Sequence, residues 1–153
     1  FQCPACATYK PIVEAVLEEM GPDKVRFVFR HFPLPMHGNA MSASQAAEAA
    51  GVQGKFWEMY NMLYDQQKSW ETVSDPKTLF IGYAKEMGLD EKKFETDFEL
   101  EMYKERIMND YKGGSKAGVN STPSFFINGK KVSPTSVDEF KKLLNDAATA
   151  PAV

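Results

Sequence analysis

The only two cysteines in a chain of 153 residues stand two residues apart, in Phe1-Gln2-Cys3-Pro4-Ala5-Cys6. A Cys-x-x-Cys pair can carry thiol–disulfide exchange, serve as a structural cross-link, or supply half of a metal site. An apolar, helix-like run from Ala7 to Met20 follows at once. A helix start presents unpaired N–H groups and partial positive charge, and that field lowers the pKa of a thiol placed there. Cys3 is therefore the candidate nucleophile at the helix start. Pro4 suits the first turn, where a missing N–H costs no bond. Cys6 lies one turn further in, within reach of Cys3 for a short disulfide. Pro4 and Ala5 carry no charge, so any tuning must come from the helix and from residues elsewhere.

The competing readings are weaker. A disulfide closing so short a loop constrains little of the unfolded chain. Zinc usually takes four ligands, and beyond this pair the chain offers only His31 and His37. The spacing thus predicts thiol–disulfide exchange ahead of a staple or a zinc site, and no metal is assigned.

The elements that must position these sulfurs fit one chain of ordinary domain length. With 43% hydrophobic residues and 11 Phe, a core is available without disulfide staples. A net charge of −3 and a pI near 5.5 argue against a nucleic-acid partner. No apolar run approaches the ~20 residues of a membrane span, and no signal peptide is recognised in the numbered chain. In the first helix Ile12, Val13, Val16 and Leu17 recur at helical spacing, Pro11 predicts a kink, and Gly21-Pro22-Asp23 a stop. Val25 to Phe32 reads as a buried strand, ended by Pro33 and Pro35.

From Asn39 to Tyr111 the pattern is helical. Ala40 to Ala50 closes at Gly51; Phe56, Met59, Tyr60, Leu63 and Tyr64 form a stripe. Asp75-Pro76 and Asp90 are helix starts, the latter followed by Phe94, Phe98 and Met102 at four-residue steps. Met36, Met41, Met59 and Met62 could offer an adaptable apolar surface, although ordinary core packing is the plainer reading of each. After Gly113-Gly114 strands are predicted to return, with Asn128-Gly129 as a hairpin turn before Lys130-Lys131-Val132. Ser136-Val137-Asp138-Glu139 is a capping box for a last amphipathic helix through Phe140, Leu143 and Leu144. Ala148 to Val153 reads as a frayed tail.

Cys3-Pro4-Ala5-Cys6 with Pro11 downstream, Arg30-His31-Phe32-Pro33-Leu34, the helical block, and Gly118 to Gly129 with Thr122-Pro123 before the hairpin together resemble a DsbA-like thiol–disulfide oxidoreductase of the thioredoxin superfamily. The resemblance covers essentially the whole chain. It implies an α/β fold: a thioredoxin-like domain of residues 1–36 and 113–153, interrupted by a helical domain of residues 37–112. It implies that Cys3 is the nucleophile, Cys6 the resolving thiol, and Pro123 the family's cis-proline, with Thr122 presenting backbone to an extended substrate. Pro4 and Ala5 are supporting residues between the cysteines, where the family's best-known members carry Pro-His, a histidine that could help stabilise the thiolate. His31 matches a histidine at a strand end, where a structural role bonded to backbone is the first expectation.

The function so implied is exchange of a redox-active Cys3–Cys6 disulfide with the thiols of unfolded or partly folded proteins, as an oxidant that needs no other cofactor. A membrane quinone-linked reoxidase and an extracytoplasmic setting, periplasmic or cell-envelope, follow from the same resemblance. A reductase or isomerase on the same fold is the rival enzyme; a peptide-binding or zinc-binding module is the rival of another class. One topological expectation is sharper. The first helix of a β-α-β unit is fed by a strand, and two residues before Cys3 cannot form one. The first central strand is thus expected to be missing from the numbered chain and supplied from outside it, together with the buried acid the family tends to carry there.

Overall fold

Among residues 1–149, which the computed structural model describes, the chain forms eight helices and one hairpin. Helix α1 (Pro4–Met20) opens with proline in its first turn and continues through Pro11. It stops at Gly21, whose φ of 77° suits a residue without Cβ and whose N–H donates to the Leu17 carbonyl at 3.0 Å. Its inner face carries Val13 and Val16.

Six helices follow: α2 (Ala40–Gly51), α3 (Phe56–Asp65), α4 (Gln67–Trp70), α5 (Lys77–Glu86), α6 (Glu91–Glu99) and α7 (Lys104–Lys116). The alanines of α2 let its neighbours approach closely, and Ala43, Ala46, Ala47, Ala49 and Ala50 are wholly buried. Met59, Leu63, Trp70, Phe80 and Phe94 complete that core, the α3 stripe among them as the spacing predicts. Asp90 caps α6 by accepting from the Lys93 N–H at 2.9 Å, and Asp75 accepts from the Lys77 N–H at 2.9 Å. Helix α5 opens at Lys77, one residue beyond Pro76. Helix α6 stops at Glu99, so Met102 lies outside it and is mostly exposed, contrary to the four-residue pattern. Of the four methionines read as an apolar surface, only Met36 is exposed; Met59 is core and Met62 packs against it.

Two expectations need correction. Strands return after Gly113-Gly114, but only from Phe125, because α7 first runs through both glycines to Lys116. The reason is packing. A Cβ on Gly114 would lie 2.9 Å from Cδ2 of Phe32, so the bare backbone permits the helix to meet that ring. The predicted residue-113 boundary therefore falls within a helix.

The second correction concerns Val25 to Phe32. Burial alternates along it, with Val25, Phe27, Phe29 and His31 more covered than Arg26, Val28 and Arg30, the period of a pleated strand. Yet it forms no ladder, because among the described residues no strand lies against it; the sheet contains β1 (Phe125–Ile127) and β2 (Lys130–Val132) only. It does not pair with β1. The hairpin itself follows the sequence: Phe125 faces Val132 and Ile127 faces Lys130, across Asn128 and Gly129 at φ of 47° and 81°.

Helix α8 (Val137–Thr149) starts with the Glu139 N–H donating to Ser136 Oγ at 3.2 Å. The Glu139 carboxylate accepts from the Thr135 N–H at 2.8 Å, one residue upstream of the expected box. Ala148 and Thr149 belong to this helix; the remainder of the expected tail lies outside the described residues. Val13, Val16 and Phe140 form a second, smaller core, bordered by Phe27, Phe125 and Ile127.

Candidate functional site

Cys3 is the N-cap residue of α1, with φ −68° and ψ 121°, and its carbonyl accepts from the Cys6 N–H at 3.1 Å. Both cysteines are free thiols. The loop after α7 brings Thr122 to the same place: Cys3 Sγ donates to the Thr122 carbonyl at 3.5 Å, across 119 residues of sequence. The Thr122–Pro123 peptide bond is cis. Pro4 and Ala5 are exposed beside the sulfurs, whereas Cys3 and Cys6 are half-buried.

The two thiols have different acidities. Burial raises the Cys3 thiol, but the adjoining Thr122 side chain, the nearby N–H groups of Cys6 and Ala5 and the Cys6 thiol outweigh it, leaving Cys3 below the ordinary value. Cys6 lies deeper. Burial, then the neighbouring Cys3 charge, push it up to about 11, against a lowering by Thr122. The Thr122 hydroxyl is buried and has no hydrogen-bond partner. Tyr64, on the buried side, is raised well above the usual phenol range by burial and by the Cys6 sulfur.

His31 sits elsewhere in the network. Its imidazole is buried, with Nε2 2.9 Å from Glu48 Oε1 on α2, and the Glu48 carboxylate is also 2.9 Å from Arg106. Its backbone N–H donates to Asp110 at 3.1 Å, and its ring packs edge-on against Phe29 and Phe56. The partner of the ring is thus a carboxylate on the helical block, not the backbone. Among the described residues no group of three or more His, Cys, Asp or Glu could hold a metal.

Residues invisible to motif reading hold the segment before α1. Gln2 Nε2 donates to the Glu71 carbonyl at 2.6 Å, and the Asn39 N–H donates to Gln2 Oε1 at 2.7 Å. Gln67 Nε2 donates to the carbonyls of Phe1 at 2.6 Å and Cys3 at 3.3 Å. On the other flank Lys10, nearly buried, pairs with Asp65 at 3.1 Å and with Glu14 at 2.7 Å. The only signal in the sequence was the placing of polar residues among apolar ones, which gives no partner.

Comparison with known proteins agrees with this arrangement. The family model described as thioredoxin matches residues 1–146. The chain is 36% identical over 132 residues to a protein of Salinispora arenicola named Na(+)/H(+) antiporter NhaA 1, covering 86% of this chain and 19% of that protein. A protein of the same name from Mycolicibacterium vanbaalenii is also 36% identical over 132 residues, covering 84% of this chain and 20% of that one. The chain therefore spans about a fifth of the length of the curated relatives it matches. No solved structure matches it. Among the described residues no helix is long and apolar enough to cross a membrane. A family model covering nearly the whole chain, cysteine pair and cis-proline loop included, leaves one conclusion: the chain belongs to the thioredoxin family.

Proposed function

We propose that this chain is a DsbA-like thiol–disulfide oxidoreductase that oxidises the thiols of unfolded or partly folded proteins. The observation that carries the reading is the pair of thiols pushed apart in acidity beside Thr122 and the cis Pro123: Cys3 lowered, Cys6 raised to about 11.

Each shift has a task. A substrate thiolate attacks Sγ of Cys3 in the Cys3–Cys6 disulfide; a substrate–Cys3 bond forms, the Cys3–Cys6 bond breaks, and Cys6 leaves with the electron pair. Because its pKa is high, Cys6 takes up a proton and does not attack back as a thiolate. A second substrate thiolate then attacks the substrate sulfur of the mixed disulfide, and Cys3 leaves. Its lowered pKa makes it the better leaving group. Two substrate thiols lose two electrons and become a disulfide, and the chain ends as the dithiol. Thr122 backbone and Pro123 line the sulfur where an extended substrate would lie, Pro4 and Ala5 form its exposed rim, and His31 braces the adjoining segment through Glu48. No cofactor beyond the disulfide is needed. Turnover requires a reoxidant, for which a membrane quinone-linked partner outside the cytoplasm is the family's solution.

The same reading gives the chain a helical domain inserted in a thioredoxin topology whose central strand is polypeptide outside the numbering. The alternating but unladdered Val25–Phe32 segment supports this, since buried strand backbone ordinarily finds a partner.

The test is oxidation of a reduced dithiol peptide, followed with a redox titration against glutathione. We expect oxidation by wild type, none above background by Cys3→Ser, and a potential more oxidising than the glutathione couple. A strongly reducing potential replaces the oxidant with a reductase, and full activity of Cys3→Ser removes the cysteines from the chemistry. The relatives' names support a second reading, in which the unit is a module of a Na(+)/H(+) antiporter. Under it, Cys3→Ser alters Na+/H+ exchange in vesicles carrying both parts.

A further inference from the structure

We propose that Gln67, backed by Gln2 and Asn39, is a positioning residue for Cys3: its side-chain amide holds the Phe1 and Cys3 carbonyls and so keeps Sγ at the start of α1 and beside the Thr122 carbonyl. The inference rests on the reading of Cys3 as the exchanging thiol.

The anchor ties the segment before α1 to the helical block. Gln67 is buried, and its amide spans the carbonyls of Phe1 and Cys3. Burying an amide is costly unless it is hydrogen-bonded, and an apolar side chain would fill the same space without that cost. Here the bonds go to the backbone of the cysteine-bearing segment. Gln2, also buried, is held at both ends of its amide, by the Glu71 carbonyl and the Asn39 N–H. Asn39 Nδ2 in turn bridges the carbonyls of Trp70 and Val73, both at 2.9 Å. Trp70, at the end of α4, has no exposed surface and donates from Nε1 to the Leu63 carbonyl at 2.8 Å. The base of the anchor is therefore fixed by packing.

At the other end stands a sulfur whose stabilisation is directional. The N–H groups at the start of α1 stabilise charge on Cys3 Sγ only while the sulfur stays close to them, because such interactions weaken steeply with distance and misalignment. The Cys3 carbonyl accepts from the Cys6 and Ala7 N–H groups at 3.1 and 3.3 Å, but Cys3 is the N-cap and α1 makes no bond to the backbone before it. Gln67 ties that backbone through the Phe1 carbonyl at 2.6 Å and adds a bond to the Cys3 carbonyl across 64 residues of sequence.

The test uses the reduced full chain with Cys6→Ala, leaving one thiol, and reads the rate of iodoacetamide alkylation from pH 4 to 9. Gln67→Met removes the donor at nearly constant volume. We expect its alkylation midpoint to move to higher pH and the rate at pH 6 to fall about three- to tenfold, the thiolate fraction lost when a pKa rises by about half to one unit. A merely structural Gln67 would lower the unfolding midpoint in urea and leave the alkylation profile where it was; that result in a folded protein overturns the proposal. Should Gln67→Met fail to fold, Gln2→Met loosens the same segment from its other tie, and the same shift or its absence decides. A wild type that exchanges no disulfides sinks the proposed function instead, and the two alkylation profiles remain comparable without it.

Discussion

The helical block and the cysteine-bearing half are held together in different ways. In the block, Trp70, Phe80, Phe94, Met59 and Leu63 have no exposed surface, and the Ala-rich face of α2 closes over them. In the other half the core is Val13, Val16 and Phe140, each still slightly exposed except Val16, with half-covered neighbours around it. That core is built almost wholly within the block, with Phe1 packed against it. The cysteine-bearing half has an alternating segment without a ladder and a hairpin of three-residue strands. It is joined to the block by the rings of Phe1 and Phe29, which pack on Tyr60, and by polar ties, Gln67 and Gln2 at one flank and Lys10 to Asp65 at the other. Rigidity at the sulfurs is thus imported from packing some distance away, which leaves the site itself open.

This contrast can be broken by unequal truncations. Phe80→Ala empties a fully enclosed site and should cost about 3–5 kcal/mol in urea unfolding. Val16→Ala, in the thin core with partly exposed neighbours that can close in, should cost about 1–2 kcal/mol. Equal losses per methyl group removed would show that the two cores are packed alike.

The smallest effect concerns charge, and it singles out the sulfur side. In the reduced protein Cys3 has a depressed folded pKa, so its contribution to stability is present above the unfolded thiol value and is lost as pH falls through the folded one. Cys6 is raised to about 11, so its contribution is present below the unfolded value and is lost as pH rises from there toward about 11. Stability should therefore climb on approaching the free-thiol range, about 8.5, and decline above it. Urea midpoints of the reduced protein from pH 6 to 11 check this; Cys3→Ser should remove the climb and Cys6→Ser the decline. A midpoint flat across that window would place both sulfurs in surroundings no different from the unfolded chain.

What could be read from the sequence was whatever local chemistry decides. Asp90, Ser136, Gly21 and Asn128-Gly129 each satisfy backbone groups within a few residues, so their types announce the cap or turn. The Cys-x-x-Cys helix start and the Thr-Pro step are local in the same sense, and the structure brings them together. Glu48, Gln67 and Asn39 act across long separations, and nothing in their own neighbourhood distinguishes them from solvated polar residues. Val25–Phe32 was legible as a pleated pattern, because alternation belongs to the segment, whereas a ladder belongs to a pair. Gly113-Gly114 misled because low helix propensity is a weak preference that packing overrides; Phe32 made the absence of a side chain useful inside the helix.

That contact between Gly114 and Phe32 also bears on how sequences of this kind can drift. The same face of α7 carries Asp110, which holds both the Arg30 guanidinium and the His31 N–H, and Tyr111, whose ring stacks on Phe32 at 4.4 Å. A larger residue at 114 would push the ring and carry residues 30 to 32 away from Asp110. The two positions are therefore free to change only as a pair, a side chain gained at 114 being matched by one reduced at 32. Relatives should show that covariation even though neither residue touches a sulfur.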